Sequence, residues 1–138
     1  MSKLIICIAS LFFLASCSFG IVDKINTLQE KPFAVVRMQG NVTEATRCVG
    51  RFWQNYATKK GTAWNVYVES YQVMVTGPHL GSGAPPIGLV IDFEEIEGNT
   101  VARAHMHHIF SQKDKRRTVT LEALDACRLH STNANPLH

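Results

Sequence analysis

From Asn41 to Lys60 apolar residues return every third or fourth position: Ala45, Cys48, Val49, Phe52, Trp53 and Tyr56. Arg47, Arg51 and Gln54 fall between them. This period is one face of an α-helix. Asn41 is a good N-cap residue, and Glu44 three positions later completes a capping-box pattern. At the other end, Lys59 and Lys60 suit the negative pole of the helix dipole, and Gly61 suits the residue just past a helix. The aromatic residues of this face are expected in a core.

Elsewhere the pattern favours strands. Pro32 opens the short run Phe33 to Met38, which Gly40 ends. Residues 64–76 are rich in aromatic and β-branched side chains, with a break in alternation near Ser70 and Tyr71. Residues 77–86 hold three Gly and three Pro and can only be a loop, long enough that function is a candidate role. Two β-like runs, Ile87 to Ile96 and Val101 to Phe110, then flank Gly98-Asn99, which suits a type II′ hairpin turn. That turn opposes Ile96 to Val101, Glu94 to Arg103, Phe93 to Ala104, Asp92 to His105 and Ile91 to Met106. The charged pairs share one face, and Ile91, Phe93, Ala104 and Met106 share the other.

A shorter helix is expected to follow, with Leu121, Leu124 and Cys127 at spacing three and Thr118 or Thr120 as its cap. The order predicts an α+β two-layer sandwich: an antiparallel sheet of about four strands with two helices on one face. A single domain would occupy residues 32–130, and residues 131–138 would be a frayed tail.

Composition agrees with a packed domain, since 46% of residues are hydrophobic and 18% charged. The amino terminus has another character. A short basic start, Met1-Ser2-Lys3, precedes the apolar stretch Leu4 to Phe13 and the run Leu14-Ala15-Ser16-Cys17. The apolar stretch is too short for a membrane-spanning helix, which needs roughly 20 residues, but has the length of a secretory leader. The whole run resembles the lipobox of bacterial lipoproteins. The resemblance, which covers residues 1–17 only, implies that residues 1–16 are removed and that Cys17 carries lipid. Residues 18–31 show no sustained period, so that 17–31 reads as a lipidated tether. Ser18 stands where an Asp would tend to keep such a protein at the inner membrane. By the same resemblance the domain would therefore face the periplasm from the outer membrane.

In that oxidising space Cys48 and Cys127 remain as one even pair, for which a disulfide is expected. Net charge is +3 over the whole chain, too weak an imbalance to name a partner. The run Lys113 to Arg117 reads as a solvated basic segment. Nucleic acid is not an expected partner outside the cytoplasm. Among candidate chemistries, His105 and His107 point to one side of a strand with Asp92 opposite, a set suited to zinc or copper. His108 would point to the apolar side. Nucleophile and phosphate-cradle motifs are absent from the sequence. The leading expectation is a non-enzymatic, lipid-anchored envelope protein, without cofactor, that binds or positions an envelope protein or polymer. Leu80 in the Gly/Pro loop, with Lys115, Arg116 and Arg117, would form the partner surface. A metal-binding lipoprotein using the His105/His107 face is the alternative, and a cell-wall hydrolase the third.

Overall fold

The computed structural model describes residues 23–78, 85–108 and 110–130. In chain order its elements are α1 (Lys24–Gln29), β1 (Ala34–Met38), α2 (Val42–Lys60), β2 (Val66–Val68), β3 (Gln72–Thr76), β4 (Ile87–Ile96), β5 (Asn99–Met106) and α3 (Lys113–His130). The strands form one antiparallel sheet in the order β1-β5-β4-β3-β2. The fold is an α+β sandwich. It has five strands rather than four because the break at Ser70 and Tyr71 is a chain reversal. There the Glu69 amide donates to the Gln72 carbonyl at 2.8 Å, and Val66 pairs with Val75.

Helix α2 forms as its pattern predicts. The Asn41 side chain accepts from the Glu44 amide at 2.9 Å, and Gly61 ends the helix with φ of 58°. Val49 and Trp53 on its inner face are fully buried. Gly50 meets β2 so closely that a Cβ there would lie 2.5 Å from the Val68 side chain.

The last helix is longer than expected. It starts at Lys113, so Thr118 and Thr120 lie within it and cap nothing. Their hydroxyls donate back to the carbonyls of Asp114 and Arg116, at 3.0 and 2.7 Å. Leu121, expected in the core, is 49% exposed. The buried stripe runs instead through Arg116, Val119, Thr120, Ala123, Leu124 and Cys127. A cation at the head of the stripe hid its period. Cys48 and Cys127 form the expected disulfide, tying α2 to α3 with a Cα–Cα distance of 5.7 Å.

The β4–β5 hairpin turns at Glu97-Gly98, with φ of 51° and 75°. Two positive φ values in a row are the type I′ turn, not the expected II′ turn at Gly98-Asn99. The register is accordingly offset by two residues: Ile96 faces Asn99, Asp92 faces Arg103 and Ile91 faces Ala104. An even offset keeps every side chain on its face. Ile91, Phe93, Ala104 and Met106 therefore stay in the core. Asp92 and His105, and Glu94 and Arg103, meet as diagonal neighbours.

The segment expected as a tether belongs to the domain from Lys24 onward. Asp23 caps α1 by accepting from the Asn26 amide at 2.8 Å. Thr27 is fully buried and its hydroxyl donates to the Ile87 carbonyl at 2.6 Å. This helix packs on β4 and β5. Val90 alternates with the core residues Leu89 and Ile91, yet is also fully buried. It is covered from the side opposite α2 and α3. So α1 shields part of the second sheet face, and the charged face expected to be open is partly closed.

Candidate functional site

Glu30 ends α1 and is used three times over. Its amide donates to the Thr27 carbonyl at 3.2 Å, closing the helix. Its carbonyl accepts from His105 Nδ1 at 2.8 Å. Its carboxylate accepts from His108 Nδ1 at 2.6 Å. That last bond holds the Glu30 carboxyl below its ordinary range, chiefly by hydrogen bonding to the ionised form and further through the charge of the ring. Residues 78 positions apart in sequence are thereby joined.

Beside this pair lies His107, whose ring stacks on that of His108 with centroids 4.5 Å apart. One ligand atom each from Glu30, His107 and His108 lie within 4.8 Å of one another. Tetrahedral zinc with ligands about 2.0–2.1 Å away sets them roughly 3.3 Å apart, so the 2.6 Å His108–Glu30 hydrogen bond would open and lose its proton on binding. The His108 side chain is 68% exposed, at the solvent edge of the group. His105 completes the surroundings. With Nδ1 bound to the Glu30 carbonyl, its Nε2 faces Asp92 Oδ1 at 3.0 Å. Asp92 thus steadies the ring that steadies Glu30.

The expected trio of His105, His107 and Asp92 is divided between two neighbouring groups. β5 ends at Met106, but the ladder continues one residue further, so His105 and His107 share the side that meets Glu30, as expected, and only His108 lies past it. The His107 amide still continues the hairpin ladder, donating to the Gly88 carbonyl at 2.9 Å, and the chain turns just after it, where the Phe110 amide donates to the His107 carbonyl at 3.0 Å. Burial is reversed. His105 and His107 are buried rather than exposed, and His108 is exposed rather than turned to the apolar side. Glu30 was overlooked because its segment reads as a tether. The cap residue Asp23 is the one local signal of its helix.

The expected basic surface is also divided. Lys115 and Arg117 are exposed, but Arg116 is fully buried. Its guanidinium carbon lies 3.6 Å from the centroid of the Phe110 ring and 4.2 Å from that of Trp64. Phe110 rests in turn on Gly88, where a Cβ would come within 2.0 Å of the ring, so only glycine fits. Nε, Nη1 and Nη2 of Arg116 have no hydrogen-bond partner among the described residues. Burial pushes the guanidinium down to about 10, so it remains a cation at neutral pH. Two such ring contacts return roughly 2 kcal/mol or more each when desolvated. Burying an ion costs several kcal/mol. Leu80 and Cys17 lie outside the described residues. No protein family, curated protein or solved structure matches the chain.

Proposed function

We propose that the chain is the precursor of a lipid-anchored envelope protein whose domain binds a divalent transition-metal ion, such as zinc, through Glu30, His107 and His108. The anchor rests on the run Leu14 to Cys17. The metal reading rests on one observation, the convergence of a carboxylate and two imidazoles within 4.8 Å. Two nitrogens and an oxygen form a donor set suited to zinc and neighbouring metals. His105, beside Asp92, holds the Glu30 backbone carbonyl and so fixes the end of α1 that carries this carboxylate. The wider expectation, a domain that positions an envelope protein or polymer, has less to stand on. Arg116 is withdrawn from the basic surface, which keeps Lys115 and Arg117.

The test is to dialyse the intact protein against zinc, remove free ion and measure bound metal. One equivalent per chain is expected. Glu30→Gln and His107→Ala should each abolish retention, and Asp92→Asn, which acts only through His105 and the Glu30 backbone, should weaken it far less. A wild-type protein that retains no zinc overturns the metal reading.

A further inference from the structure

We propose that Arg116 and the hollow beside Trp64 form an oxyanion site, taking a carboxylate or phosphate group. The hollow has a volume of about 280 Å³ and is lined by Lys60, Trp64, Ser111, Gln112 and Lys115, among others. No carboxylate is among its lining residues. Asp114, in the same helical turn as Lys115, is exposed and does not line it. Two lysines and the polar residues Thr62, Ser111 and Gln112 therefore border a space with no carboxylate among its described lining residues. The hollow also meets the start of α3, the end of a helix that favours anions.

Trp64 joins this space to the buried cation. Trp64 lines the hollow, and its ring centroid lies 4.2 Å from the Arg116 guanidinium carbon. Two rings lie against the guanidinium, and its N–H donors are without acceptors among the described residues. Carboxylate and phosphate meet such donors edge-on, in pairs. Arg116 has no exposed surface, so the anion must displace a neighbour, and Trp64 is the side chain common to both sides. A guanidinium held unsatisfied in the free protein is thus satisfied on binding, and the cost of its burial becomes selectivity for an oxyanion.

The experiment titrates the intact protein, in the presence of a chelator, with sodium phosphate or sodium acetate against sodium chloride at matched ionic strength. Melting temperature and the Arg116 Nε–H resonance are followed together. A saturable rise in melting temperature is expected with at least one oxyanion and not with chloride, accompanied by movement of that resonance at the same midpoint. A response to phosphate alone or to acetate alone assigns the group. Arg116→Met should melt at or above the wild type in chloride and lose the response. The double variant Lys60→Gln, Lys115→Gln should stay folded and bind more weakly. The proposal is overturned if neither oxyanion gives a saturable response, if Arg116→Met keeps it, or if the resonance does not move. Should Arg116→Met not fold, unchanged affinity in the double lysine variant overturns it equally.

Discussion

The phenyl ring of Phe93 is 4% exposed on the core face of β4, while the next residue, Glu94, stands in solvent and pairs with Arg103. Adjacent strand residues so placed should respond very differently to the same truncation. Phe93→Ala is expected to cost roughly 3–5 kcal/mol by opening a core cavity. Glu94→Ala removes an exposed ion pair and should be barely measurable. Urea denaturation of both variants checks the contrast, and similar values would misplace the sheet faces. Alternation along the strand made this division readable without the fold. Arg116 was not readable in the same way. Within Lys113 to Arg117 nothing local separates it from its neighbours, and its burial follows from Phe110 and Trp64, which converge only in three dimensions.

At the scale of elements, α2 was the most legible because its cap, period and terminating glycine act within the segment itself. The hairpin was legible in its faces and not in its turn. Gly98 takes a positive φ in either turn type, so the choice between the two depended on Glu97 also adopting one. α1 was missed because six residues give too little period to read, and its stability comes from the sheet beneath it. Its last contact predicts a pH response. The folded protein holds the Glu30 carboxyl below its ordinary value of 4.5, so the folded state binds fewer protons there than the unfolded one. The stabilisation is therefore complete above about 4.5 and lost as pH falls through the folded value. Melting curves of wild type and Glu30→Gln should differ at neutral pH and converge on acidification. A constant difference would remove Glu30 from the acid response.

Over the whole molecule, the disulfide joins positions 79 residues apart and holds together the two helices that cover the core face. Replacing Cys48 and Cys127 by Ala should cost roughly 2–5 kcal/mol, read by denaturant unfolding. At the other end of the chain, Cys17→Ala should abolish fatty-acid labelling and leave the leader uncleaved. Unchanged membrane fractionation of that variant in processed form would dismiss the lipid anchor. The sequence by itself determined the α+β class, the limits of α2, the faces of β4 and β5 and the cysteine pair, because period, capping and parity are local or countable properties. Only the tertiary structure decided that Glu30 meets His107 and His108, that α1 closes the second face, and that Arg116 lies buried between two rings. Each of those depends on side chains brought together across the sheet, and spacing along a chain carries no measure of distance through a fold.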